Sequence, residues 1–317
     1  MEFQEFKERL CEELKVQLGE DTTLTTTTVC KNNGIVLNGI TISPPGTNIY
    51  PNIYIDDMYE RCKELEDELD YTAIALDVLD CYENSLLGFQ LERGFFETFA
   101  SVKHNIVCKL VNYEANIEYL KEHPHKRFHD LAIIFYYLFE EKPLHHASIF
   151  LQQKHCEMWG IEVDTLYKIA IRNMRRLFVP RISTLEERIY GMLHVDSTEY
   201  EDSDTNRKKE SCSYDTDQSS AMYILDNNSD VNGAVTLLSP SILKSFAKEM
   251  ESDFYILPSS IHELILVPTK TSKDVEHYKS LVKSANEECV DEEDFLSNSV
   301  YYYSQKTNSV LCFQTTM

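Results

Sequence analysis

Apolar residues recur every three or four positions at the start of the chain, where Phe3, Phe6, Leu10, Leu14 and Leu18 share one face of a predicted helix. Gly19 marks its end. Two β-prone stretches follow, 24–31 and 35–43, joined by Asn32-Asn33-Gly34, whose Asn and Gly tolerate positive φ. That pattern predicts a hairpin. A short strand over 53–55 leads into a helix predicted over 56–83, with Met58, Cys62, Leu65, Leu69, Ala73, Leu76 and Leu79 as its apolar stripe. In the middle of the chain the pattern predicts a strand over 106–111, a helix over 113–121, a buried strand over 131–139 and a further strand over 148–151. A helix over 165–178 has Asp164 placed to cap it and Pro180 just beyond its end.

From 222 onward the predicted order is ββαββαββ, with strands over 222–225 and 234–238, a helix over 241–250, and strands over 255–257 and 264–267. A helix over 274–288 and a terminal strand pair near 300–303 and 310–313 complete it. Ser239-Pro240 is an entry signal for the first of these helices, because Ser caps and Pro suits the first helical position. The fold class expected is α+β, a mixed α/β chain with an N-terminal helix, a hairpin, a long acidic helix and a C-terminal ββαββαββ-like domain. Its expected domains are 1–195, divisible into 1–100 and 101–195, and 221–317. Between them, 196–220 carries nine Ser or Thr and eight acids with few apolar residues, the composition of a linker or surface loop.

Charge changes the picture. With 53 acidic and 30 basic side chains the formal charge is −23, which repels nucleic-acid phosphates, so direct nucleic-acid binding is not expected. The helix over 56–83 holds eleven acids against Arg61 and Lys63, far more than i to i+4 pairing uses, and reads as an anionic ridge that includes Asp57, Glu60, Glu64 and Glu68. A second acidic patch comprises Glu287, Glu288, Asp291, Glu292, Glu293 and Asp294. Nine scattered cysteines form no framework of short disulfide loops and fit reduced thiols. The first twenty residues are acidic and helical in pattern, unlike a secretory signal, and no apolar run reaches the about 18–20 residues that span a bilayer. A cytoplasmic location with no membrane contact is expected.

Three groups of residues are candidates for chemistry. His123, His125, His129, His145, His146 and His155 fall close together, but zinc needs three or four convergent ligands, and His123-Pro124-His125 and His145-His146 are read as loops around a strand, without the fixed helical spacing of a metal motif. Ser259, Ser260, His262 and Glu263 place two hydroxyls, an imidazole and a carboxylate at the junction of two strands. A nucleophilic Ser also needs a strained turn and an oxyanion hole, neither of which is signalled. Arg172, Arg175, Arg176 and Arg181 form a basic cluster suited to an anion, or to acids of the same chain. No glycine-rich phosphate loop occurs and no cofactor is expected.

The strings KNNGIVLNGITI from Lys31, NIYPNIYID from Asn48, KLVNYEANIEYLKEHPHKRFHDLAIIFYYL from Lys109, MWGI from Met158, FYILPSSIHELILVP from Phe254 and SVYYY from Ser299 are distinctive. They resemble a domain-of-unknown-function family from anaerobic Gram-positive bacteria, over nearly the whole chain outside 196–220. The resemblance implies a bacterial, cytosolic, mixed α/β protein and carries over no site residue. The functional expectation is therefore a non-enzymatic protein that presents its acidic surface to a basic protein partner, with mimicry of nucleic acid as a specialised form. A hydrolase using the Ser259 to Glu263 segment and a metal-dependent enzyme using the histidines are the alternatives. Oligomeric state is open.

Overall fold

A computed structural model describes residues 2–19, 21–43, 51–63, 69–86, 94–139, 148–188, 222–271 and 274–314. Within these, thirteen strands form three antiparallel sheets, so the expected mixed α+β class holds. Helix α1 (Phe3–Leu18) buries Phe6, Leu10 and Leu14, three residues of the predicted stripe. Strands β1 (Thr23–Cys30) and β2 (Val36–Ser43) pair in full register as the predicted hairpin, and β3 (Asn52–Tyr54) adds to β2. In the turn between β1 and β2, Asn33 and Gly34 adopt φ of 58° and 77°, the left-handed values their residue types tolerate. Ile40, Ile42, Ile53 and Ile55 close a core against α1 and against Ala75 and Val78 of the helix that follows.

That helix is not the single long element the stripe predicts. Helix α2 (Asp56–Lys63) and helix α3 (Tyr71–Leu86) are separate, with Leu69 and Asp70 non-helical between them. The Asp70 carboxylate accepts the amide N–H groups of Thr72 and Ala73 at 3.0 and 3.1 Å, so it starts a new helix where the apolar stripe runs on unbroken. Glu64 and Glu68 lie outside the described residues.

Helix α4 (Phe99–Val102) precedes a four-stranded sheet of β4 (Ile106–Asn112), β5 (His125–Phe128), β6 (Leu131–Leu138) and β7 (Ser148–Phe150), with β6 central. The predicted helix over 113–121 is a 3-10 turn, Glu114–Asn116, and then α5 (Ile117–Glu122). Helices α6 (Gln153–Trp159) and α7 (Val163–Leu177) follow. Asp164 does not cap α7: it pairs with Lys126 at 2.6 Å, and Glu162 stands at the cap position without a side-chain bond.

Strand β8 (Pro180–Thr184) pairs with β9 (Tyr223–Asn227) across the segment 189–221, which lies outside the described residues and contains the acidic stretch 196–220. They belong to a six-stranded sheet in the order β13, β12, β10, β11, β9, β8, where β10 is Phe254–Pro258, β11 Leu264–Pro268, β12 Val300–Ser304 and β13 Ser309–Phe313. Helix α8 (Pro240–Met250) starts at the predicted Ser239-Pro240, and α9 (Val275–Cys289) matches the second predicted helix. The predicted strand over 234–238 is instead a 3-10 helix, Gly233–Leu238, buried throughout. A short run of apolar residues buried on every side has no periodicity to separate strand from helix. One buried cluster joins the four-stranded sheet, α7 and the six-stranded sheet, drawing on Val107, Phe135, Leu166, Phe246, Phe254 and Tyr301.

Candidate functional site

Along β6 the side chains alternate. Ile133 and Phe135 enter the main core, whereas Ala132 and Ile134 face α5. On this second face Lys109 of β4 stands directly opposite Ile134, and Phe150 of β7 opposite Tyr136. The face forms the floor of a cavity of about 1120 Å³ whose described lining includes Lys109, Val111, Ile134, Ser148 and Phe150. One wall is α5 and the residue after it, with Glu118, Tyr119, Glu122 and His123. The hairpin turn supplies Cys30, Lys31 and Asn32, and the opposite side brings Asn232, His262, Glu293 and Asp294.

The hairpin turn is fastened to this wall by its two asparagines. Asn33 donates its side-chain N–H groups to the Glu292 and Phe295 carbonyls at 2.8 and 2.7 Å, and exchanges bonds with the Asn116 side chain at 3.0 Å. Asn32 donates to the Glu293 carbonyl at 2.6 Å, while its buried Oδ1 has no hydrogen-bond partner among the described residues. Both asparagines were read from the sequence only as turn formers.

Lys109 has an unusual environment. Its Nζ lies 5.0 Å from the centroid of the Phe150 ring and has no hydrogen bond or ion pair with the described residues. Loss of solvent around the amine brings its pKa down to about 8; Glu293 and Asp294 oppose that shift and the neighbouring Lys31 adds to it. Tyr119 stacks on His123 with centroids 3.8 Å apart, and His123 Nδ1 meets the Tyr119 carbonyl at 2.7 Å. Burial pushes the Tyr119 phenol well up and the His123 imidazole down.

His262 lies 3.1 Å from Asp294 through Nε2, and the Asn232 amide N–H reaches Nδ1 at 3.1 Å. An accepting Nδ1 fixes the tautomer, so Nε2–H donates to Asp294. The serines of this segment are engaged elsewhere: Ser259 Oγ donates to Glu263 Oε1 at 3.1 Å, and Ser260 Oγ accepts the His262 backbone N–H at 2.9 Å. Neither hydroxyl meets the imidazole among the described hydrogen bonds.

The structure thus gathers His123, His262, Glu293 and Asp294, from three separate sequence candidates, around one cavity. The other histidines are dispersed. His125 Nδ1 meets the His123 carbonyl, His129 packs against Phe128 and Tyr301, and His155 packs against both Phe96 and Trp159 with Nδ1 accepting the Gln152 amide. His145 and His146 lie outside the described residues, and among those described no group of three or more His, Cys, Asp and Glu is arranged to hold a metal.

Arg181 is taken up by Asp226 at 2.6 Å and by Asp230, and Arg176 donates to the His104 carbonyl at 2.9 Å. Arg172 and Arg175 are exposed on α7. Asp57 and Glu60 are exposed on α2, as are Glu287, Glu288, Asp291 and Glu292 at the end of α9 and beyond it.

Lys109, Lys31, Tyr119 and Asn232 were missed as site residues. Lys109 carried a signal, a lone cation in the apolar strand sequence Ile-Val-Cys-Lys-Leu-Val. No helix among the described residues is long and apolar enough to cross a membrane. No curated protein and no solved structure matches the chain. The model of one family, described as a family of unknown function (DUF5688), matches residues 3–305, and the chain belongs to that family.

Proposed function

We propose that the chain is a bacterial cytoplasmic protein that binds a small molecule in the cavity above the four-stranded sheet. One observation carries this reading: residues as far apart in sequence as Lys31, Lys109, His123, Asn232, His262 and Asp294 line one cavity of about 1120 Å³. Ligand sites commonly enclose about 300–1,000 Å³ and converge polar groups on an apolar floor; this cavity is slightly larger, and most of its described lining is polar or charged around the apolar side chains of Val29, Val111, Ile134 and Phe150. A thermal-shift screen of polar metabolites against the full chain tests it. A ligand at about 100 times its Kd adds about 2.7 kcal/mol of stability. Ser148→Trp, at an exposed lining position, should abolish the shift without lowering the melting temperature of the free chain. If no compound stabilises the chain, or the tryptophan leaves binding intact, the reading fails.

A second reading keeps the acidic surface as a dock for a basic protein, with nucleic-acid mimicry as its special form. It is favoured by the exposed carboxylates of Asp57, Glu60, Glu287, Glu288, Asp291 and Glu292 in a chain of charge −23. Affinity for such a partner should fall steeply between low and moderate ionic strength, and nucleic acid should compete for it. Binding indifferent to salt would remove this reading.

A further inference from the structure

We propose that Lys109 is a nucleophilic amine and that the cavity captures neutral, polyhydroxylated aldehydes or ketones as an imine on its Nζ. This rests on the cavity being the ligand site. A lysine near a protein surface ordinarily finds a carboxylate or bulk water. Lys109 is set into the floor of the cavity over the Phe150 ring, and no described acceptor holds its ammonium form. The acids nearby are differently engaged. Asp294 meets His262, and the exposed Glu293 carboxylate makes no described bond to Nζ and favours its charged form only at a distance. Desolvation leaves an appreciable share of the amine unprotonated near neutral pH, the form that attacks carbonyl carbon.

The chemistry needs no further reagent. The Nζ lone pair forms a bond to the carbonyl carbon and the carbonyl oxygen takes up a proton. The carbinolamine then expels water and nitrogen loses its remaining proton, so amine plus carbonyl compound gives imine plus water with no change of oxidation state. Titratable groups sharing the cavity are Cys30 and Lys31 of the hairpin, Tyr54 of β3, Glu118, Tyr119, Glu122 and His123 on the α5 wall, and His262, Glu293 and Asp294 opposite. Protons move through these and solvent.

The lining also selects the ligand. Glu118, Glu122, Glu293 and Asp294 disfavour a phosphorylated or carboxylated compound. Thr28, Asn32, Asn52, Gln152 and Asn232 line the cavity and supply hydrogen-bonding groups suited to hydroxyls.

Glyceraldehyde with cyanoborohydride, followed by peptide mapping of the full chain, tests the inference. Lys109 should be reductively alkylated at least about tenfold faster than the average exposed lysine, because its free-amine fraction is far larger. The rate should rise with pH through a midpoint of about 8, and glyceraldehyde 3-phosphate should react more slowly. Lys109→Arg, which retains the charge and lacks the nucleophile, should remove the fast site while leaving the circular dichroism spectrum unchanged. Trapping no faster than at surface lysines, or a fast site that survives in Lys109→Arg, overturns the inference. Should screened compounds bind in a manner blocked by Ser148→Trp while Lys109 traps no aldehyde, the nucleophile falls and the cavity reading stands. If no compound binds and Lys109 traps aldehyde no faster than the surface lysines do, both fall.

Discussion

Lys109 occupies a position that resists its own charge. Its amine is brought from an ordinary 10.5 to about 8 by burial, so folding favours loss of its proton. Between those two values the unfolded chain holds the proton more tightly than the folded one, and stability must rise with pH across that window. Below about pH 8 the penalty is present in full. Lys109→Met should therefore stabilise the protein at pH 7, by about 1–3 kcal/mol, with the slope between pH 8 and 10.5 reduced. Urea denaturation of both chains across this range measures it. A destabilised methionine variant would show that the ammonium has a good partner after all. At this scale the sequence was partly readable: His262 and Asp294 were singled out, yet nothing in their spacing placed the imidazole on that carboxylate. Thirty-two positions of chain separate them, and only the docking of 291–296 beside the β10–β11 turn closes the gap.

At the scale of elements, close backbone approach decides what the hydrophobic pattern leaves open. Gly233 begins the buried 3-10 helix that the pattern presents as a strand, and a Cβ there would collide with the His262 carbonyl oxygen and crowd the backbone of Asp226 and Asn227. These obstacles are backbone, not flexible side-chain ends. Gly233→Ala should lower stability by about 2–3 kcal/mol in chemical denaturation and displace His262 from the cavity wall. A variant with unchanged stability would mean that the segment yields freely. Helices with one apolar face and strands with clear alternation were legible, as α1, the β1–β2 hairpin, β6 and α9 show. The division of α2 from α3 was not, because Asp70 acts through two hydrogen bonds that leave the apolar stripe intact.

For the whole molecule, one turn joins separate cores. The N-terminal cluster of α1, β2, β3 and α3 shares a cavity with the main body because Asn33 reaches Glu292, Phe295 and Asn116. Removing that side chain leaves its partners short of several hydrogen bonds, and Asn33→Ala should cost about 1–3 kcal/mol. It also replaces an asparagine at positive φ by a residue that resists it. Asn33→Gly, which keeps the backbone freedom, should recover the conformational part alone; equal stability of both variants with the parent chain would show that the turn does not fasten the hairpin.

The sheet floor holds an amine without its usual ionic partner among the described residues, and on that amine the proposed ligand capture rests. The most direct measurement is an NMR titration of the Lys109 Nζ resonance in the full, unmodified chain. A midpoint of about 8, set apart from the other lysines, is expected. A midpoint at the ordinary lysine value of 10.5 would contradict it.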